Sequence, residues 1–496
     1  MRASPELPQF KFIGFTGHRA LSDQAAVRTA LREALTQVRA TLPAAEWVAV
    51  SSIAEGADML FAETARAAGL AWQVVLPLPE HEFKNDFSAE QWAEVAGWLA
   101  QAEQCTVVPP TLERTEAYLD AGLETVDRAD VLIAVWDGEA SRGQGGTAEV
   151  VTYAREIGCP VLRIDPTSGA VMRENFEPGP KADGIVGEIN ALPAGVGDAV
   201  AFPGSVSVPA ALAGFMAKAD ASATSGAPHF RRMMGGTVML HVLATLVAVM
   251  AIVFGWHWVG LPWIKLLCLV GAVAVAFVLA RSHTHHRWLR HRIAAEVSRA
   301  ALGAWGLRSE LAFLDNIPVP ELKGLLRSIR QLHLRERTGR SGVTLPEFKA
   351  SYLATRIEGQ TAYYRKQEDK AAPLAHRLKM GFWWATWAAI ACTSGYAVAA
   401  TLHLPVAHEI SEIVFYLLPI CLPVVAAGCM SFVSINDLQR RVARYRDMQA
   451  LLERSRRQLE VSHSWHAVAK VVAITEEGLL QELLEWHAIS RYSESH

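Results

Sequence analysis

The sequence lacks the cysteine and charge patterns of several protein classes. Its six cysteines form no CxxC pair and no metal-ligand spacing, and four lie in apolar blocks, which favours a reduced, cytosol-facing protein over a disulfide scaffold. A formal net charge of −3 gives no field that would attract nucleic acid, so we expect no nucleic-acid partner. The opening residues MRASPELPQF lack the apolar core of a signal peptide, and we expect the N-terminal domain to stay on the cytoplasmic side.

Long apolar runs, in contrast, are abundant after residue 235. They raise the mean hydropathy to +0.16, whereas the first 165 residues have the composition of an ordinary soluble domain. Each run is about long enough to cross a bilayer as a helix, and nearby tryptophans suit the membrane interfaces. The four predicted spans are 236–256, 263–280, 382–402 and 413–433. Two hairpins buried in a large soluble core are the alternative.

Basic residues predict the orientation of these runs. They flank the outer ends of both hairpins, whereas the hairpin loops hold none before Lys265. By the positive-inside rule, both termini and residues 281–380 are cytoplasmic, so we expect a multi-pass protein of the cell inner membrane, with membrane lipid as a partner. The flanking residues are Arg231, Arg232, Arg281, Arg287, Arg290, Arg292, Arg377, Lys379, Arg440, Arg441, Arg444 and Arg446.

Residues 1–165 alternate short apolar runs with amphipathic helical stretches. This alternation predicts an α/β, Rossmann-like, doubly wound parallel sheet with helices on both faces. The predicted strands are 12–16, 47–52, 73–76, 105–108, 131–136 and 160–164, and the first two predicted helices are 23–40 and 56–68. One face of the first helix carries Val27, Ala30, Leu31, Ala34, Leu35 and Val38.

Three further parts follow this α/β domain. Residues 166–232 are rich in Gly, Ala, Pro and Ser, which predicts an irregular extension and linker. Residues 233–340 and 341–496 each contain a two-span hairpin followed by a basic helical stretch, so we interpret them as an imperfect tandem repeat. They form an all-α membrane domain with four transmembrane helices and long cytoplasmic helices. A Thr344–Glu347 capping box is predicted to begin a helix that leads to the third run.

Three loops follow predicted strands of the sheet, and ligands of open α/β sheets bind at that carboxyl edge. In the first loop, Gly17 permits a tight turn and the planar Arg19 fork suits phosphate. The other two offer hydroxyls and glycine-rich helix starts, whose amides hold anions, although glycines also serve plain turns. The predicted nucleotide-binding residues are Thr16, Gly17, His18 and Arg19; Ser51, Ser52, Glu55, Gly56 and Asp58; and Asp137, Gly145, Gly146, Thr147 and Glu149.

The apolar region contains two groups of polar residues. Those within the runs are expected to hydrogen-bond between helices, with a pore lining as the alternative. A histidine-rich stretch after the second run is expected to contact anionic lipid head groups rather than metal, because arginines crowd it. The first group is His241, Thr245, Thr386, Thr393 and Ser394, and the second is His283, His285, His286 and His291.

The segments GFTGHR, SSIAEGADMLFAE, LPLP, ADVLIAVWDG, GQGGTAEVVTYAR and PVLRI together resemble the SLOG superfamily of nucleotide-binding, Rossmann-like domains, over about residues 10–165. The rest of the chain resembles a tandem SLATT-type two-span effector region, through AEVSRA, TEEGLLQELLEW and the two-span unit itself. The SLOG resemblance implies a nucleotide-derived ligand and no required cofactor. In the family's hydrolase branch, a Glu three residues after the Thr of GGxGT is catalytic. Here Glu149 is two residues after Thr147, so ligand contact, catalysis and a plain helix-start acid stay open.

Two functions follow from these resemblances. The first is a membrane effector that senses a nucleotide-derived signal and oligomerises or opens a pore in bacterial anti-phage defence. Few polar residues per hairpin imply a homo-oligomer. The alternative is a membrane-anchored, phosphoribohydrolase-like enzyme that cleaves a glycosidic bond with His18, Arg19, Asp137 and Glu149. A transporter is disfavoured because His241 is the one ionisable residue near mid-membrane in the runs.

Overall fold

The computed structural model describes residues 5–111, 113–140, 145–177, 182–193, 206–255, 258, 260–281, 284–339, 343–402, 407 and 411–492. The chain forms two compact units. The sheet unit consists of Arg2–Ala191 and Val319–Ser341, and the helical unit of Leu192–Pro318 and Gly342–His496. The chain therefore leaves the helical unit, returns to the sheet unit for one segment, and then enters the helical unit again.

A seven-stranded sheet forms the centre of the sheet unit. Its strands are β1 (Gln9–Gly17), β2 (Ala45–Ser51), β3 (Ala71–Leu76), β4 (Gln104–Val107), β5 (Val131–Val135), β6 (Val161–Ile164) and β7 (Val171–Glu174). They lie in the order β4-β3-β2-β1-β5-β6-β7, and every neighbouring pair is parallel except β6–β7. The predicted parallel sheet is confirmed, with β7 added as an antiparallel edge. The strand order reverses between β1 and β5, which places the topological switch point there.

Helices cover both faces of this sheet. They are α1 (Gln24–Thr41), α2 (Ala57–Ala67), α3 (Glu80–Phe83), α4 (Ala89–Leu99), α5 (Arg114–Arg128), α6 (Thr147–Glu156) and α7 (Gly184–Asn190), with a 3-10 turn at Lys84–Asp86. One apolar cluster joins α1, α2 and α4 to one face, and two others join α5 and α6 to the opposite face. The six residues predicted for the inner face of α1 are all buried, because that helix is amphipathic with the predicted period.

A later helix, α11 (Lys323–Gly339), also belongs to the sheet unit. Its Leu332 packs on the apolar cluster that contains Phe10 and Phe12. The buried Gln73 side chain donates to Gln331 Oε1 over 2.8 Å. Strand β7 and α7 lie in the segment for which the sequence predicts an irregular extension. The sequence predicts α11 as part of the first two-span unit, since amphipathic spacing reveals an apolar face but not the surface that the face covers.

The helical unit is built from long helices. They are α8 (Ala210–Val253), α9 (Gly260–Arg281), α10 (Thr284–Gly303), α12 (Leu345–Tyr352), α13 (Gly359–Thr401), α14 (Leu418–Ile435), α15 (Leu438–Val461) and α16 (Trp465–Tyr492), with 3-10 turns at Ala312–Leu314 and, in the sheet unit, Pro320–Leu322. Two segments, Leu353–Glu358 and Ser411–Leu417, are π-helical. The Thr344–Glu347 capping box is confirmed at the start of α12.

The apolar helices pack as two hairpins, α8 with α9 and α13 with α14. By length and composition, two stretches are able to cross a membrane, Gly235–Val253 and one within Ser411–Val461, and a shorter apolar helix covers Gly260–Val275. Only 6% and 11% of the residues in these two apolar stretches are buried, so neither is a core helix of this unit. The predicted third span, 382–402, is not among these stretches, because its tryptophans and hydroxyl residues lower its hydropathy. Two of the four predicted spans are therefore supported.

Polar side chains in the apolar helices bond to their own backbone. The His241 Nδ1 lies 2.9 Å from the Thr237 carbonyl oxygen, and the Thr245 hydroxyl donates to the His241 carbonyl over 2.9 Å. Thr386 and Thr393 each donate to the carbonyl four residues earlier, over 2.8 Å. The prediction of bonds between helices is therefore wrong for these four residues, since a carbonyl of the preceding turn already bonds each side chain.

The structure gives further information on the histidine-rich stretch and the cysteines. The buried His291 Nδ1 lies 2.7 Å from the Ser222 hydroxyl, and the other three histidine side chains of that stretch lie outside the described residues. Among the described residues, no group of three or more His, Cys, Asp or Glu side chains converges on a possible metal position. All six cysteines are free thiols.

Candidate functional site

A cavity of about 890 Å³ lies at the carboxyl ends of β1 and β5, at the switch point of the sheet. The loops that follow β1, β2 and β5 line it, together with the start of α6 and one turn of α5. Ten of the fourteen predicted residues line this cavity: Thr16, Gly17, His18, Arg19, Ser52, Asp58, Asp137, Gly145, Gly146 and Thr147.

His18 links the loops after β1 and β5. Its backbone N–H donates to the Val135 carbonyl over 3.1 Å, and its own carbonyl accepts from the Ala57 N–H over 3.1 Å. The ring Nε2 lies 3.2 Å from Asp137 Oδ1 and 3.3 Å from the Asp137 backbone nitrogen. These contacts fix the imidazole at the mouth of the switch point, within reach of a ligand.

Arg19 lies beside an aromatic residue that the sequence reasoning did not identify. Its guanidinium carbon is 5.7 Å from the ring centre of Tyr118, which lines the cavity from α5. The Tyr118 hydroxyl donates to the Asp86 carboxylate, and burial together with this carboxylate raises the pKa of Tyr118. No motif marks Tyr118, because it comes from the middle of a helix rather than from a strand end.

The second loop has a constrained backbone. Gly56 has φ +90°, and a Cβ at this position would collide with the Arg19 carbonyl, so only glycine lets the first two loops approach so closely. Ile53 also has a positive φ, 53°, which is rare for a β-branched residue and shows that surrounding contacts hold this loop in a strained conformation. The Ser51 hydroxyl accepts the Ile53 N–H over 3.1 Å and stabilises this turn.

Asp58 has the largest pKa shift among the acids of the site. It is 4% exposed, and burial raises its pKa to about 7, although the Ser51 hydroxyl, the charge of Arg19 and the amides of Ser52 and Ala54 oppose the rise. A carboxyl group in this pKa range exchanges a proton near neutral pH. Asp58 is therefore suited to acid–base chemistry in this cavity.

The third loop presents the beginning of α6 to the cavity. Gly146 is the N-cap of this helix, and Gly145 has φ +83° with the backbone of Thr115 3.0 Å from the position of a Cβ. The Glu149 carboxylate accepts the Gly145 N–H over 2.6 Å and so holds the loop. Amides in the first turn of a helix lack intrahelical partners and attract anions. Gly143 and Gln144 of the predicted glycine-rich motif lie outside the described residues.

Four predicted residues do not line the cavity. Ser51 is fully buried beneath the second loop, and Gly56 forms its turn. Glu55 is exposed, and its carboxylate accepts from the Gln91 amide over 2.8 Å. Glu149 is occupied by Gly145. Their placement gives them loop-supporting contacts, whereas His18, Arg19, Asp58 and the α6 amides converge on one space.

Comparison with known proteins finds a similarity in the region of the first apolar hairpin. No curated protein matches the chain at a significant level. A family model matches part of the chain, from α8 through α11, so it covers the hairpin α8–α9 and ends with the helix that packs on the sheet. This match supports the SLATT resemblance and, with the apolar helices, indicates a membrane protein. Residues 214–342 match the family described as the SMODS and SLOG-associating 2TM effector domain 3.

Proposed function

We propose that this protein is a membrane effector controlled by a nucleotide-derived anion that binds in the sheet unit. One observation carries the proposal: the same chain contains two features. Its first hairpin region matches a SLOG-associating two-span effector domain, and its N-terminal α/β sheet has a cavity at the switch point. The first 165 residues resemble SLOG domains, which bind nucleotides. The expected response is oligomerisation or opening of a pore, in bacterial anti-phage defence.

The chemistry of the cavity favours an anion. Arg19 supplies a permanent positive charge, and the amides at the start of α6 supply oriented donors. Tyr118 offers a ring face for a base or sugar. The volume of about 890 Å³ lies within the range for small-molecule sites.

The membrane arrangement is part of the proposal. Four spans would come from the hairpins α8–α9 and α13–α14, with both termini and the sheet unit in the cytoplasm. The pairwise packing of these helices and the arginines at their outer ends support this topology. A homo-oligomer is expected, since one chain offers few polar side chains to line a wet path.

Ligand binding can shift such an effector only by binding its active state more tightly. Changing the ratio of active to inactive protein from 1:99 to 99:1 requires that the ligand bind the active state about 5.5 kcal/mol more tightly. One tight site, or several weaker sites in an oligomer, would supply this free energy.

The test compares full-length protein with Arg19→Ala and Gly146→Glu. Loss of Arg19 should weaken nucleotide binding by about 1.5–3 kcal/mol, and a carboxylate at position 146 should repel the anion. Gly97→Glu is the matched control, because a side chain there meets open space. Cells that express each variant are challenged with phage, and dye uptake is measured alongside calorimetric binding of nucleotide extracts.

Wild type and Gly97→Glu should admit dye on challenge, whereas Gly146→Glu should not. Equal dye entry for wild type, Gly146→Glu and an empty vector would refute the effector proposal. Equal nucleotide affinity for wild type, Arg19→Ala and Gly146→Glu would remove the cavity from the sensing role.

A second candidate function is nucleotide hydrolysis at the glycosidic bond. The pKa of Asp58, about 7, favours it, because such a carboxyl group can donate a proton to a leaving base. The contact between Glu149 and Gly145 argues against the catalytic role that the family resemblance suggests for Glu149. Product analysis separates the functions: released base that disappears in Asp58→Asn indicates an enzyme, and intact bound nucleotide indicates a sensor.

A further inference from the structure

The helical unit contains a second cavity, of about 640 Å³, between α8, α10, α13, α15, α16 and the π-helical segment Leu353–Glu358. Its lining is strongly basic and aromatic. Five arginines line it against two carboxylates, and three tyrosines and one tryptophan also line it. A cavity of this size and composition is suited to an anionic small molecule.

The two carboxylates are already neutralised. Asp220 accepts from Arg292 over 3.2 Å and from Arg299 over 2.8 Å. Glu296 contacts the same two arginines, at 2.7 and 2.5 Å. Burial opposes ionisation of Glu296, but Arg299, Arg292 and Arg356 outweigh it and lower its pKa to about 2. Glu296 therefore stays charged, and the two acids together pair with Arg292 and Arg299.

Two of the remaining arginines have donors left over. Arg356 is 3% exposed and binds Glu476 through Nε and Nη2, yet its Nη1 has no hydrogen-bond partner among the described residues. Arg441 donates to the Tyr445 hydroxyl over 2.9 Å and, in the described part of the chain, makes no ion pair. A buried N–H donor without a partner is costly, and a ligand is one way to satisfy it.

The backbone supports the same conclusion. Arg356 lies on a π-helical turn, and such single turns occur frequently at functional sites because they displace one residue from the regular helical face. The cavity is also close to the apolar runs. Thr224 lines it, and the apolar run of α8 begins at Gly235, about 17 Å farther along a helix that rises 1.5 Å per residue.

We propose that this cavity binds a phosphate-bearing anion, with Arg356 and Arg441 contacting the phosphate and the tyrosine rings bordering the rest of the ligand. The phosphate belongs either to a soluble molecule or to a lipid head group. This site is separate from the switch-point cavity, and the proposal does not depend on ligand binding in the sheet unit.

The test is calorimetric titration of inorganic pyrophosphate into full-length protein in phosphatidylcholine nanodiscs. Every protein carries Arg19→Ala, so that binding in the sheet unit is weakened equally. Arg441→Gln should lower the remaining affinity at least about tenfold, which corresponds to about 1.4 kcal/mol. Arg440→Gln is the matched control: it is the adjacent arginine, its side chain is 79% exposed, and it does not line the cavity.

A second variant, Arg444→Gln, guards against a folding defect in Arg441→Gln, and thermal unfolding without pyrophosphate shows that each variant is folded. Pyrophosphate affinity that is the same in folded Arg441→Gln, Arg444→Gln and Arg440→Gln overturns the proposal. So does a complete absence of binding in the Arg19→Ala background in both kinds of disc, whereas the switch-point site would survive either result.

Nanodiscs that contain phosphatidylglycerol distinguish the two sources of phosphate. Arg441-dependent pyrophosphate binding that is lost only in these discs identifies a lipid head group as the competing occupant. Binding that is equal in both discs identifies a soluble phosphorylated ligand.

Discussion

The sheet unit and the helical unit distribute apolar and charged residues in opposite ways. In the sheet unit, strand residues such as Ile133 and Val135 are fully buried. In the helical unit, Leu267 and Trp384 are 73% and 71% exposed on the apolar helices, whereas Arg356 and Glu476 are buried. The sheet unit therefore encloses its apolar side chains, whereas the apolar helices of the helical unit expose theirs, as lipid-facing helices do.

This difference indicates which interactions fix the folded geometry of each unit. The sheet unit gains stability from apolar burial and keeps its chemistry at the loops of one edge. Lipid provides little hydrophobic drive between helices, so the helical unit fixes its geometry with charged contacts outside the apolar runs. The Arg356–Glu476 pair is the centre of those contacts, and Tyr352 donates to the same carboxylate over 2.8 Å.

The largest expected effect comes from breaking that pair. Glu476→Gln removes the carboxylate that pairs directly with the buried Arg356 guanidinium and should destabilise the helical unit by about 3–5 kcal/mol. Glu453→Gln, which breaks an exposed pair with Arg457, should cost less than about 1 kcal/mol. Thermal unfolding of the detergent-solubilised protein measures both. Equal melting temperatures for the two variants would show that buried charge does not organise this unit.

A charged substitution on an exposed apolar surface tests the proposed solvent of each unit. Val270 on α9 is 57% exposed, and Val270→Arg should cost about 2.5–3.5 kcal/mol if the helix lies in a bilayer. Ile157, at the end of α6, is 49% exposed, and Ile157→Arg should be nearly neutral in water. The fraction of protein that resists alkaline extraction of membranes gives the comparison. Full retention of Val270→Arg would contradict a membrane position for α9.

Asp58 makes the sheet unit sensitive to pH. Its pKa is about 7 in the folded state against an ordinary value of 3.8, so the folded state binds the extra proton between these values. The free energy of unfolding therefore falls as pH rises through this window and levels off above about 7. Between about pH 5 and pH 8 the loss should be about 2–3 kcal/mol for wild type and absent in Asp58→Asn. Parallel melting curves for both proteins across that range would exclude a raised pKa.

The smallest expected effects come from removing a helix capping box, of which each unit has one example. Capping boxes begin α4, through Ser88 and Gln91, and α12, through Thr344 and Glu347. Ser88→Ala and Thr344→Ala should each cost about 1 kcal/mol. If the units unfold separately, calorimetry should show two transitions, each shifted by one variant only. A shift of both transitions by either variant would mean that the units unfold together.

The sequence predicts the sheet well because its information is local. Period and strand-end position were enough to identify the buried face of α1 and the three loops that meet at the switch point. Tyr118 and Asp86 were missed, since tertiary folding brings them to the site from helical segments without a motif. The π-helical turn around Arg356 and the docking of α11 were also missed, because helical periodicity does not specify a partner surface. Ligand binding at Arg19, Gly146 and their neighbours stays a prediction.

The return of α11 to the sheet has a consequence for biosynthesis. The ribosome produces Val319–Ser341 only after the apolar residues of α8 and α9. The face of the sheet that contains Phe10 and Phe12 therefore stays incompletely covered until the first hairpin has been translated. Domains usually fold in order from the N-terminus during synthesis, but here the N-terminal unit cannot be completed ahead of the first hairpin. A chain that stops before residue 319 lacks both Gln331, the partner of Gln73, and Arg327, the partner of Asp130. Premature termination thus yields a sheet unit that lacks one of its covering helices.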